Sequence, residues 1–414
     1  MKIAIVGGGI SGLSVAYYLS KSGFDITLFE KDKIGGKAYT QKVGNYLMEE
    51  GVNGFLNNSP KTLELCKEIG IEPIKANENS KIRYIYDDKL IKIPTKPLEF
   101  ITSDIFSVFG KIRLLKEFFI KPVCDKEESV AQFAKRRLGE EFYKRMMIPM
   151  LAGIYASTPE ITSMNAAFPK LKKVECEYGS LFKGMIALKR GGAPTGELHS
   201  FKYGMSEMID KLKSSIKATF IKKEINDIDE LKNFDKVVIA TESFEASKIL
   251  KKYEKLSSLL NKIAYNPVAV VGFDYKEIKP ISFGILTVKE KSLGILMDKY
   301  IFPNRNGIRV MVGGARYPQI KDMSEEEIIE IAKKDVEKIT NAKDPIFTWV
   351  KVHKNAIPNY SLGHLDLVKE IEEEAKKANV YLIGNAYNGV SFNDCIKNGF
   401  NLAKKIKEEY GVRA

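Results

Sequence analysis

Four residues near the N-terminus carry the plainest chemistry. Gly7, Gly9 and Gly12 follow the apolar run Lys2-Ile-Ala-Ile-Val6 and precede a helix-like stretch, and Glu30 closes a second strand-like run, Asp25-Ile-Thr-Leu-Phe29. Strand, Gly-rich turn, helix, strand and acid, in that order, predict a dinucleotide site. Gly7 permits the tight turn, Gly9 lets the backbone approach a pyrophosphate, and Gly12 lets helix and strand pack closely. Gly8, Ile10 and Ser11 fill out the loop and the helix start, where free N–H groups and the positive dipole end face the phosphates. Glu30 can accept hydrogen bonds from ribose hydroxyls.

The next residues separate one dinucleotide from another. Lys31, then the glycine pair Gly35-Gly36 with Lys37, place cations and a second turn near the phosphate site. This run resembles the second motif of the glutathione-reductase-like FAD proteins, which implies FAD. No second well-formed GxGxxG follows: Val312-Gly313-Gly314-Ala315 lacks the third glycine and the acid. A flavin reduced by its substrate, rather than by a nicotinamide bound on the same chain, is therefore expected.

The chain of 414 residues, 44% hydrophobic, is long enough for two or three domains with real cores. Its formal charge of +13, from 66 Lys+Arg against 53 Asp+Glu, suits a poly-acidic substrate, an anionic surface or simply a lysine-rich exterior. Four dispersed cysteines, Cys66, Cys124, Cys176 and Cys395, form no CxxC, so neither a zinc site nor a disulfide framework is expected. Three histidines make a His-built metal site improbable. The sequence opens directly on a strand with no signal-peptide pattern, and no apolar stretch approaches the ~20 residues of a membrane span. The expected setting is cytoplasmic and reducing, with room for peripheral attachment to the inner face of the cytoplasmic membrane.

Several elements must position the site. Residues 81–93 alternate around Asp87-Asp88 as a hairpin does. Between 97 and 122, Leu98, Ile101, Ile105, Val108, Ile112, Leu115 and Phe119 recur at helical spacing among lysines and Arg113. That pattern fits a core-facing helix, and it also permits a membrane-surface helix. Asp235–Thr241 reads as a buried parallel strand, so the chain returns to its first sheet after a long excursion. Strands are expected at 265–315 and 345–360 with a helix at 324–339 between them, and the strand 380–383 delivers Gly384-Asn385 to a last helix from Asn393.

Later segments are similar to the FAD-dependent protoporphyrinogen and coproporphyrinogen oxidase family. They are Glu49-Glu50-Gly51-Val52-Asn53-Gly54-Phe55, Glu128–Gly139, Pro149–Ala156, Phe201–Met205, Ala356–His364 and Gly384–Ile396. The resemblance runs in order to the C-terminus. It implies an α/β fold with a discontinuous Rossmann-like FAD domain of the glutathione-reductase type (1–75, 195–260 and 365–414). It further implies an antiparallel-sheet substrate domain (76–96 and 261–364) and a helical, membrane-associated domain (97–194).

Residue roles follow from the same resemblance. Gly51, Val52, Asn53 and Gly54 would lie under the flavin, and Ile225 would meet adenine through its backbone. Gly384 and Asn385 would serve the cofactor from the end of the last strand, and Val390 and Ser391 would offer backbone N–H groups to the flavin from the start of the last helix. Arg83 would bind a propionate through its guanidinium fork, and Leu286, Leu296 and Met311 would sandwich the macrocycle. The chemistry belongs to the flavin, with no general base named. Oxidation of protoporphyrinogen IX in heme biosynthesis is the expected activity, with coproporphyrinogen III or an amine-oxidase-like substrate as alternatives. Implied partners are oxygen, a quinone or a protein electron acceptor, a membrane surface and a docking ferrochelatase; no nucleic-acid partner is expected. Asn385-Ala386-Tyr387-Asn388 offers a single aromatic, against the aromatic cage usual in amine oxidases, and no sugar-nucleotide pattern supports a flavin mutase.

Overall fold

The computed structural model describes residues 1–190, 196–279 and 283–411. Apolar β-branched runs become the inner strands of a five-stranded parallel sheet, ordered Thr219–Lys222, Asp25–Glu30, Lys2–Val6, Lys236–Ile239, Val380–Leu382. The returning strand lies beside the first, with Ile5 opposite Val238, so the predicted long excursion is real. This sheet belongs to a unit built from Met1–Lys75, Gly196–Ala264 and Leu365–Ala414. Helix Ile10–Ser20 is buried along ten of its residues. It packs against helix Phe392–Glu409 so tightly that a Cβ on Gly399 would stand 2.5 Å from Ser14 Cβ. A capping box formed by Ser391 and Asp394 starts that last helix.

The second unit comprises Ala76–Thr195 and Tyr265–His364. Its seven-stranded sheet runs Phe347–Pro358, Tyr265–Asp274, Ile308–Gly313, Ser292–Leu296, Gly284–Thr287, Arg83–Asp87, Lys89–Lys92. All neighbours are antiparallel except Gly284–Thr287 on Arg83–Asp87, which is parallel. Asp88, at φ 58°, makes the hairpin turn between the last two strands. One sheet face is closed by helix Glu325–Thr340 through Ile328, Ala332, Val336 and Ile339. The Gly313-Gly314 pair has a local explanation: both have positive φ, and a Cβ on Gly314 would stand 2.6 Å from the Ala156 carbonyl oxygen. The helices of 97–190 lie within this second unit.

Two expectations fail here. The 97–122 stretch is not a core-facing helix. It folds as Pro97–Thr102, Val108–Leu115 and a 3₁₀ turn Lys116–Phe119, and of its seven periodic apolar residues only Ile105 is buried. Phe119 is 88% exposed. Polar groups anchor the segment instead: Arg113 donates to the carbonyls of Lys135, Arg136 and Arg137, and Lys111 to those of Ile101 and Ser103. The apolar side is thereby left outward.

The second failure concerns cysteine. Cys124 and Cys176 form a disulfide with Cα atoms 5.8 Å apart, whereas Cys66 and Cys395 are free and buried. Helix Pro169–Tyr178 folds back beside residues 120–126 over a charged cluster, bringing together two cysteines that are 52 residues apart in sequence. No helix among the described residues is long and apolar enough to cross a membrane.

Candidate functional site

The strand ends of the first sheet build a cradle. Gly7 has φ +108°, and a Cβ there would stand 2.7 Å from Ala240 O; one on Gly12 would overlap Gly7 O at 2.0 Å. Gly9 differs from both, because a Cβ on it would meet no protein atom within 4 Å. The Gly35-Gly36 turn lies against this loop, with Gly35 N–H donating to Gly8 O at 2.8 Å. Gly36, at φ +55°, sits over Gly9. Glu30 holds the loop from below, one carboxylate oxygen accepting from Gly8 N–H at 2.7 Å and the other from Asp32 N–H at 2.9 Å. Each oxygen keeps a lone pair for a further donor. Ile225 is buried three residues beyond strand Thr219–Lys222, whose Lys222 is paired with Glu30. Ile10 and Ser11 are buried at the helix start, which no side chain caps. Gly384, at φ +146°, leaves the strand Val380–Leu382 on the far side of the returning strand, and Asn385 beside it is half-buried.

Residues 49–55 are tied in by contacts the sequence did not disclose. Glu49 is wholly buried, accepting from Thr40 Oγ1 at 2.7 Å and from Met205 N–H at 3.0 Å, so it caps helix Met205–Ser215. This joins the Glu49–Phe55 and Phe201–Met205 segments, and the sequence signal for it was the acid pair Glu49-Glu50 directly after the apolar run Tyr46-Leu47-Met48. Glu50 is buried and paired with Lys33. Val52 is half-buried and packs on the main core of this unit. Asn53 is the anomaly, since both polar atoms of its side chain are buried without a hydrogen-bond partner. An orphaned buried amide costs about 1–3 kcal/mol, so it marks a place where a ligand completes the structure.

In the second unit, register places the other candidates on one sheet face. Arg83 is opposite Gly284, Gly284 opposite Leu296, Leu286 opposite Gly294, and Gly294 opposite Met311. Leu286, Leu296 and Met311 are half-buried. Leu286 and Met311 also touch helix Ile148–Tyr155 or its C-terminal residue Ala156, so each has a packing role besides any other. Arg83 is open to solvent with its guanidinium 5.5 Å from the Phe283 ring, and surrounding protein depresses its pKa by desolvation. Arg316 pins the hairpin beneath, donating to Thr287 O at 2.9 Å and Val288 O at 2.7 Å.

Comparison with known proteins decides the lineage: residues 10–407 match the flavin-containing amine oxidoreductases. The chain belongs to that family. Among relatives, a coproporphyrinogen III oxidase of Bacillus subtilis is 26% identical, with 96% of each chain covered. A chloroplastic protoporphyrinogen oxidase of Spinacia oleracea is 30% identical over 97% of this chain and 83% of its own. A crystal structure from Exiguobacterium sp. 255-15, described as a candidate protoporphyrinogen oxidase, superposes with a TM-score of 0.83 at 21% identity, covering 99% of each chain.

This flavin amine oxidoreductase is an FAD-dependent oxidoreductase, and its residues fit FAD. The open space at Gly9, the helix start free of a side-chain cap and the orphaned Asn53 amide all leave room for the cofactor. The structure adds three details to those expectations. Ser391 N–H is not free for the cofactor, because it donates to Asp394 Oδ2 at 3.3 Å within the capping box; Val390, half-buried, carries no such bond. Gly51 and Gly54 answer to the protein itself, since Cβ atoms there would stand 2.7 Å from Lys37 O and 2.3 Å from His199 O. Lys31 and Lys37 are not bare cations: Lys31 lies 3.4 Å from Glu224 and 3.5 Å from Glu245, and Lys37 lies 3.1 Å from Glu242. Burial raises the Glu242 pKa, but Lys37 and nearby donors more than offset this and hold it below its ordinary value.

Proposed function

We propose that this chain oxidises a porphyrinogen, with protoporphyrinogen IX to protoporphyrin IX in heme biosynthesis as the first substrate to test. The observation that carries it is the alignment of Arg83 with Leu286, Leu296 and Met311 on one face of the seven-stranded sheet. A porphyrinogen is an apolar macrocycle edged by carboxylates. The three half-buried apolar side chains supply a floor for its rings, and the Arg83 fork takes one propionate bidentately. FAD, when bound, would supply two-electron oxidation of the macrocycle, with oxygen, a quinone or a protein as the final acceptor. Glu30, Ile225 and the Gly7–Gly12 loop would hold the adenosine and pyrophosphate end, while Asn53 with Val52 and Val390 would flank the ring end. The exposed apolar residues of 97–119 among lysines give a face suited to a membrane surface.

Coproporphyrinogen III is the second reading, favoured by the near-complete mutual coverage with the Bacillus subtilis relative. Anaerobic mixing of FAD-loaded protein with each porphyrinogen separates them. Bleaching of the flavin by one substrate, with porphyrin fluorescence on admitting oxygen, identifies that substrate. Flavin left oxidised by both overturns the porphyrinogen reading.

A further inference from the structure

Hydrogen bonds that do not involve sulfur also tie the two segments that the disulfide joins. Val123 N–H donates to Glu175 Oε1 at 3.3 Å, and Cys124 and Cys176 are the next residue after each partner. Covalent and hydrogen-bonded links thus run side by side. Below them, Arg136 Nη2 donates to the same Glu175 oxygen at 2.8 Å, and Lys172 Nζ donates to Glu128 at 2.8 Å and to the other Glu175 oxygen at 3.0 Å. Arg137, wholly buried, donates to Ile120 O at 2.6 Å, to Gly179 O at 3.0 Å and to Glu117. Glu117 also accepts from Leu181 N–H at 2.8 Å. Both segments that the disulfide joins are therefore held by charge-assisted hydrogen bonds that do not involve sulfur.

Access separates this pair from the other cysteines. Cys124 and Cys176 are exposed, whereas Cys66 and Cys395 are buried, with thiols pushed by burial to about 12 and about 11. Exchange requires a thiolate to reach a sulfur, and only the exposed pair is reachable in the folded chain. The geometry points to Cys124–Cys176 as a thiol–disulfide exchange site, opened and re-closed by a dithiol reductant while the chain stays folded. One thiolate of the reductant attacks an exposed sulfur, giving a mixed disulfide and releasing the other cysteine as a thiolate. The reductant's second thiol then resolves the mixed disulfide. Two electrons pass to the chain as two thiols, and the reductant leaves as its own disulfide. Phe119, on the exposed apolar face, lies five residues before Cys124, and exposed Met185 and Ile186 follow Cys176 on the next helix. Opening the bond loosens 120–126 and so the join between the two apolar elements.

The test uses the full-length, FAD-loaded chain without denaturant. Dithiothreitol followed by iodoacetamide and peptide mapping is expected to label Cys124 and Cys176 and to spare Cys66 and Cys395, with near-UV circular dichroism unchanged. Re-oxidising the reduced chain with glutathione disulfide before iodoacetamide is added is expected to abolish the labelling. A bond that resists dithiothreitol until urea is added, or a reduced form that loses its near-UV signal, would make the disulfide a fixed staple and overturn the inference. A Cys124→Ser/Cys176→Ser chain gives the second readout. Amide exchange over 120–126 should rise about tenfold while residues 2–30 are unchanged, and equal exchange in both segments would remove the mechanical role.

Discussion

Gly9 and Gly12 stand three residues apart, yet a methyl group on each should act on different things. At Gly12 the new Cβ would lie 2.0 Å from Gly7 O, a backbone atom in a turn that itself has no slack against Ala240. Overpacking typically costs about 1–3 kcal/mol, and a backbone overlap this deep belongs at the upper end. At roughly 2–4 °C per kcal/mol for units of this size, Gly12→Ala should lower the apoprotein's melting temperature by about 6–12 °C. At Gly9 the methyl group meets open space, and φ −71°, ψ 174° suits any residue. Only the loss of glycine at a helix N-cap counts against it, about 0.5–1 kcal/mol. If the open space is where the pyrophosphate lies, the methyl group acts on the cofactor instead. An overpacking cost of about 1–3 kcal/mol then appears as roughly 5- to 150-fold weaker FAD binding. Calorimetric titration of apoprotein with FAD, beside thermal unfolding of the same samples, separates the two effects. Gly9→Ala binding FAD as tightly as the parent would refute the placement, and equal destabilisation of both apoproteins would refute the steric argument.

Asn53→Ala removes an amide that has no partner in the protein, so apoprotein stability should hold or rise by up to about 1 kcal/mol, while FAD retention through gel filtration falls. Arg83→Met should raise KM for the porphyrinogen about tenfold or more with kcat little changed, and Arg83→Lys should not restore it because a point charge lacks the bidentate fork; steady-state fluorescence assays read both. Burial raises the Glu117 pKa, but the Ser180 hydroxyl, Leu181 N–H and Arg137 outweigh it and hold the group below its ordinary value. Its contribution is therefore complete above the unfolded carboxylate value of about 4.3 and is lost as pH falls through the lower folded value. Thermal scans from pH 7 to 3 should show a fall below about pH 4 that is shallower in Glu117→Gln, whose melting point at pH 7 should already be reduced.

What the sequence disclosed, and what it hid, divides along a physical line. The glycine loop was legible because its requirements are local: a positive φ at Gly7 and a Cβ-free approach at Gly12 are set by atoms within one turn. The hairpin turn at Asp88 is local in the same way. Ser391 shows the limit of that reasoning. Its position at a helix start implies an N–H open to the cofactor, but Asp394 three residues on completes a capping box and accepts from it. Gly51 and Gly54 show another limit, because the carbonyls of Lys37 and His199 that crowd them come from distant chain. The 97–119 stretch marks a harder boundary. A 3.6-residue period states which side chains share a helix face, not what that face meets. Arg113 and Lys111 turn the segment by binding carbonyls on 101–103 and 135–137, contacts no periodicity encodes. The disulfide obeys the same rule. Its cysteines meet because Arg136, Arg137 and Lys172 draw three acids from separate segments into one buried cluster, and each buried charge requires the others. Removing Glu117 strips the wholly buried Arg137 of its nearest carboxylate, at about 3–5 kcal/mol for a broken buried pair, so the tertiary cluster, and not the spacing of Cys124 and Cys176, fixes that they face each other.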